Sequence, residues 1–181
     1  MTGIPLHNGR SIAQGIYGSA AIREQDLAAV KQLGVKTVIS FCKPGELGFD
    51  EGRMFTGAGI GFVNIPMSDG DAPHQSPTDP NGPVKRFLDA ISDPSRGPFL
   101  LHCAHGKGRT NIFGVLARAR ELQRQGDPQP FETALAEARR FGFGGGWSSG
   151  KQVKYARDAW NAYAAGLVPG YPACGPTARS A

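Results

Sequence analysis

No stretch of this chain approaches the roughly 20 consecutive apolar residues of a membrane-spanning helix, so stable insertion into a bilayer is not expected. The opening MTGIPLHNGRSIAQ has no apolar core of the kind a secretory signal carries, which makes the cytoplasm the expected compartment. Cysteine is scarce. Cys42, Cys103 and Cys174 are odd in number and far apart, which excludes a disulfide framework and a zinc-ligand pattern. Basic clusters with aromatics between them, the mark of a nucleic-acid binder, are also missing. The Lys and Arg residues are scattered, and a net charge of +5 serves solubility or draws anionic ligands. There is no internal repeat.

What remains is a chain of 181 residues, 40% of them hydrophobic, enough for one domain with a proper core. That domain is expected over residues 1–165, as a monomer. The Pro/Gly-rich end, 166–181, reads as a loosely held tail. Residues 24–34 carry apolar positions at helical spacing and stop at a glycine. Residues 36–41, 61–66 and 98–103 are short apolar runs that read as buried strands. Residues 49–59 read as a weak helix. Helices are expected over 83–93, where proline opens the first turn, and over 110–126, 130–142 and 151–166. The turn-rich stretch between Met67 and Pro83 reads as a long loop. Strands alternating with helices predict an α/β single domain, with a central, mostly parallel sheet flanked by helices. Ligands of such sheets bind beyond the carboxyl ends of the strands.

One stretch, PFLLHCAHGKGRTNIFGVLARA from Pro98 to Ala119, places Cys103 at such an end. Ala104, His105, Gly106, Lys107 and Gly108 then form a small loop before a helix that opens at Arg109 and Thr110. Such a loop points several backbone N–H groups at one spot, and the helix dipole adds to them, which makes an anion site. Gly106 and Gly108 permit the close approach the cradle needs. Arg109 adds a planar fork that matches two phosphoryl oxygens. The same field favours the thiolate of a cysteine held within it, which is the nucleophilic form. Transfer of a phosphoryl group to that sulfur requires a proton for the leaving oxygen. Asp69 and Asp71, 34 and 32 residues before Cys103, both suit a donor on an opposing loop, and Gly70 between them supplies mobility.

The stretch HCAHGKGRT resembles the His-Cys-x5-Arg-Ser/Thr signature of the cysteine-dependent protein-tyrosine and dual-specificity phosphatases. Upstream, FCKPGEL followed by IPMSDGDAP is similar to the compact dual-specificity branch that includes the cyclin-dependent-kinase-associated phosphatase and small bacterial relatives. The resemblance covers about residues 10–165. It implies hydrolysis of phosphate monoesters through a phosphocysteine on Cys103. Substrates would be phosphorylated proteins bearing phosphotyrosine, with phosphoserine or phosphothreonine in addition, or small phosphate esters. The loop amides and Arg109 would bind the phosphoryl oxygens, and no metal or cofactor is implied. The general acid falls on Asp69, with Asp71 as the alternative. His102 would shape the loop through hydrogen bonds to nearby backbone, and Thr110 would donate to the sulfur. Cys42 corresponds to a cysteine that, in several members, forms a reversible disulfide with the nucleophile; its other reading is a small apolar filler. Lys107 in GKGR matches a branch acting on phosphoinositides or inositol phosphates, whereas Ala104 departs from that branch's basic residue. Gln152 matches a water-orienting position poorly and receives no role. More remote readings are a sulfur-transfer or arsenate-reducing enzyme, and a non-catalytic phosphate-binding module.

Overall fold

The computed structural model describes residues 4–68, 75–145 and 150–174. Five short strands form one sheet: β1 (Arg10–Ala13), β2 (Ile16–Ser19), β3 (Thr37–Ser40), β4 (Gly61–Asn64) and β5 (Phe99–His102), in the order β1-β2-β5-β3-β4. β1 runs antiparallel to β2, and all other pairs are parallel. The register aligns Ser19, His102, Ser40 and Asn64, so four strands end at one edge of the sheet. Three of the strands were legible as apolar runs. The β1–β2 hairpin was not: its strands have four residues each, two of the eight are Arg10 and Ser11, and a bulge interrupts the alternation.

The flanking helices are α1 (Leu27–Gln32), α2 (Glu51–Gly57), α3 (Pro83–Ala90), α4 (Arg109–Arg124), α5 (Pro130–Arg139) and α6 (Gly150–Ala164). The expected helix over 24–34 begins as a 3-10 turn, Glu24–Asp26, and only then becomes α1. β3 and β5 are buried along their whole length because helices cover both faces. Val38 and Leu100 point to one layer, with Ile22, Val30 and Phe55. Ile39 and Leu101 point to the other, with Phe87, Ile112, Leu116, Phe131 and Trp160. This is the two-residue period of a strand used by two cores at once.

α4 lies in the thicker layer and is buried from Arg109 through Ala117. Below its first turns, Phe113 stacks on Phe41 with ring centroids 4.6 Å apart, and Phe87 lies 4.8 Å from Phe113 and 6.4 Å from Phe41, closing a three-ring cluster. These rings anchor the start of α4, and with it the loop that precedes it. No helix among the described residues is long and apolar enough to cross a membrane. The first part of the expected loose tail is docked instead. Val168 is buried, the Tyr171 hydroxyl donates to Asp89 Oδ1 at 2.9 Å, and Cys174 N donates to Ala164 O. Apolar burial of Val168 and the Tyr171–Tyr163 ring contact hold this segment against α3 and α6, and residues 175–181 lie outside the described set.

Candidate active site

Cys103 follows the last residue of β5, at the edge where the parallel strands end, and is 3% exposed. The residues from Ala104 to Gly108 curl back to the N-terminus of α4, and Gly106 N–H donates to Cys103 Sγ at 3.2 Å. Gly106 has φ +73°, and a Cβ there would lie 2.5 Å from Ser19 O, so both the angle and the approach to β2 require glycine.

Four successive loop carbonyls are held by donors outside the loop or from the first turn of α4. Ala104 O accepts from Ala21 N at 3.1 Å, and His105 O from Asn8 Nδ2 at 2.9 Å. Gly106 O accepts from Arg10 Nη2 at 2.9 Å, and Lys107 O from Asn111 Nδ2 at 2.7 Å. A peptide's N–H points opposite to its C=O. Fixing the carbonyls on the outside therefore leaves the amides to face inward without reorganisation, which is what a developing negative charge needs.

Arg109 is 1% exposed. Its fork meets Glu46 in a bidentate pair, Nη1 to Oε2 at 2.8 Å and Nη2 to Oε1 at 2.6 Å. Nη1 also donates to Phe41 O and Met67 O. Burial works against the guanidinium's charge, but the Glu46 hydrogen bonds and the Cys103 charge outweigh it and leave Arg109 above its ordinary value. In turn the Arg109 hydrogen bonds hold the Glu46 carboxyl below the usual range. Glu46 lies within FCKPGEL, yet nothing in its neighbours marks it as the partner of an arginine 63 positions away. The same is true of Arg10 and Asn111, which converge on the loop from β1 and α4.

His102 is fully buried. Nε2 lies 3.1 Å from Glu51 Oε1, an ion-pair separation without hydrogen-bond alignment, and neither ring nitrogen has a hydrogen-bond partner among the described residues. Glu51 is fixed by Ser40 Oγ, which donates to Oε2 at 2.9 Å. The Thr110 hydroxyl is buried beside the loop without a hydrogen-bond partner among the described residues. His105 and Lys107 are exposed, and the stem of Lys107 passes over Gly142. Cys42 is fully buried near β3's end, and burial above all pushes its thiol up to about 12, against the pull of Arg109. Gln152, which has no role from its sequence context, is buried with its amide against Gly108, and its Oε1 has no hydrogen-bond partner among the described residues. Its signal was a polar residue within the apolar stripe of α6. Asp69 and Asp71 lie outside the described residues.

Comparison with known proteins adds to this geometry. Residues 13–119 match the family model described as "Polymorphic toxin system, DSP-PTPase phosphatase". The dual specificity protein phosphatase TpbA of Pseudomonas aeruginosa strain UCBPP-PA14 is 34% identical over 131 residues, which is 71% of this chain and 52% of the relative. This chain thus spans about half the length of the curated relatives it matches. The crystal structure of P. aeruginosa TpbA superposes with a TM-score of 0.61 at 25% identity, covering 83% of this chain and 84% of that one. The core catalytic domain of the PP-IP phosphatase SIW14 from S. cerevisiae, in complex with citrate, superposes with a TM-score of 0.64 at 20% identity, covering 93% and 98%, a likeness of fold. With more than half of its length matched, from the hairpin through the cysteine loop into α4, this chain belongs to the DSP-PTPase phosphatase family.

Proposed function

We propose that this protein hydrolyses phosphate monoesters on proteins, phosphotyrosine first and phosphoserine or phosphothreonine in addition. The observation that carries the reading is the outward tethering of the carbonyls of Ala104, His105, Gly106 and Lys107 around a cysteine that already accepts an amide hydrogen bond. The name of the P. aeruginosa relative agrees with it. Cys103 Sγ attacks phosphorus in line, an S–P bond forms and the ester P–O bond breaks. Asp69 gives its proton to the leaving oxygen. Water then attacks the phosphocysteine, Asp69 accepts its proton, and inorganic phosphate leaves as the thiolate is restored. The loop amides and Arg109 carry the charge of both transition states. The test is turnover of phosphotyrosine, phosphoserine and phosphoinositide substrates by the full chain. The phosphotyrosine peptide is expected to turn over fastest. Preference for the phosphoinositide would transfer the assignment to the Lys107 reading, and no turnover of any ester would overturn a phosphatase altogether.

Asp69→Asn is expected to lower kcat about 10²-fold on substrates with poor leaving groups, the scale of general acid catalysis, and less on an activated aryl phosphate. If Asp71→Asn shows this pattern and Asp69→Asn does not, the acid is Asp71.

The same reading extends to redox control by Cys42. Ser40 pairs with His102 across adjacent parallel strands, and Phe41 N continues the ladder to His102 O. Cys42 and Cys103 lie two and one residues beyond that pair and share one buried cluster, which favours the approach to within about 7 Å that a disulfide needs. Peroxide would oxidise Cys103 to the sulfenic acid, and Cys42 would condense with it, releasing water. Burial keeps Cys42 protonated and slows that step, while Arg109 draws toward the thiolate. Activity lost to peroxide is expected to return with dithiothreitol in the wild type and to stay lost in Cys42→Ser. Equal recovery in both would leave Cys42 as core filler.

A further inference from the structure

Arg10 stands apart from the other buried charges of this protein. It is 5% exposed, yet no carboxylate pairs with it among the described residues. Its partners are neutral. Nη2 donates to Gly106 O at 2.9 Å and to Asn111 Oδ1 at 2.6 Å, Nη1 donates to Asn8 O at 3.0 Å, and the guanidinium lies 5.0 Å from the centre of the Phe141 ring. The two residues it engages extend its hold along the loop, since Asn8 also donates to His105 O and Asn111 to Lys107 O. The position is built for it. In the β1–β2 register Arg10 faces Gly18, where a Cβ would lie 3.3 Å from Arg10 Cζ, so the absent side chain leaves room for the guanidinium to cross β2 toward the loop.

A buried guanidinium without a counter-charge is costly, and proteins keep one where an anion offsets it. Arg109 does not have this problem, because Glu46 neutralises it bidentately. Among the described residues, the charge that acts on Arg10 is that of Cys103 in the loop itself, and an oxyanion bound in the cradle would add to it. We infer that Arg10 is a positioning residue of the phosphate cradle, which locks the Gly106, His105 and Lys107 carbonyls outward and adds, from behind the loop, a positive charge that no carboxylate among the described residues offsets, beside that of Arg109, which Glu46 partly offsets. The electrostatics agree. Burial pulls Arg10 down to about 10, and the Cys103 charge acts in the opposite sense; that attraction is mutual.

The inference rests on the phosphatase reading of the site, but its test does not depend on turnover. Tungstate binding to the full chain, measured by calorimetry, probes the cradle alone, and thermal unfolding reports the fold. Arg10→Met is expected to weaken tungstate binding at least about tenfold, the scale of a lost charge-assisted hydrogen bond. KM for an aryl phosphate should rise by a similar factor. Arg10→Lys keeps the charge but not the fork, and is expected to bind tungstate within about threefold of the wild type, because the charge is its larger share. An Arg10→Met protein that unfolds earlier yet binds tungstate like the wild type would reduce Arg10 to a structural brace and overturn the inference. Should Arg10→Met not fold, Arg10→Lys decides alone: a folded lysine variant that has lost tungstate tenfold would overturn the role of the charge. A wild type that binds tungstate but hydrolyses no ester would overturn the phosphatase reading and leave that of Arg10 intact.

Discussion

Cys103→Ser is expected to abolish turnover, with kcat falling by about 10⁴-fold or more, while tungstate still binds within a few-fold of the wild type. The magnitude is that of removing a nucleophile whose loss leaves only binding and electrostatic stabilisation. The separation of the two effects follows from how the site is built. In the proposed mechanism sulfur forms the bond to phosphorus, but the cradle is held by Ala21, Asn8, Arg10 and Asn111 through carbonyls that a change at Cys103 does not touch. The one contact altered is the Gly106 N–H bond to Sγ, which a hydroxyl can accept in turn. Single-turnover mixing with an aryl phosphate gives the sharper check, since wild type should trap a phosphocysteine on rapid acid quench and the serine variant none. Residual turnover within tenfold of wild type would remove Cys103 as the nucleophile.

Arg109→Lys is expected to lower kcat/KM by about 10³-fold, in the range measured when a group that stabilises transition-state charge on a phosphoryl oxygen is lost. Charge alone does not rescue it. The guanidinium meets Glu46 with two parallel bonds and reaches Phe41 O and Met67 O from one nitrogen, so its plane is set by three segments of chain before a phosphate arrives. An ammonium has no plane and cannot reproduce the pair. The loss should appear in kcat more than in KM, because in the proposed mechanism the positioned guanidinium counts most where charge gathers on the equatorial oxygens, at the transition state. A lysine variant with kcat near wild type would show that Arg109 serves the fold and the Glu46 pair rather than the chemistry.

The sequence by itself determined the local parts of this protein. A short apolar strand, a glycine-bearing loop and an amphipathic helix follow one another without a gap from Pro98 onward, and each is specified by residues within a few positions: apolar packing for β5, the positive φ of Gly106 for the loop, helical periodicity for α4. Local rules therefore place Cys103 and Arg109 at the two ends of one loop between β5 and α4. They are silent on what holds that loop. The β1–β2 hairpin was not legible because Arg10 and Ser11 break its apolar run and a bulge breaks its alternation, and with it went Arg10, whose loop contact spans 96 positions of chain. Glu46 and Asn8 were equally hidden, because a polar side chain in a turn reads the same whether it faces water or a partner on another element. The 3.1 Å approach of Glu51 Oε1, from α2, to His102 Nε2 was hidden in the same way. Only the tertiary structure decided these matters. Hydrogen bonds and buried charges are satisfied by whatever the packed layers bring within about 3 Å, and the order in which strands join a sheet, not their order in the chain, sets which residues those are.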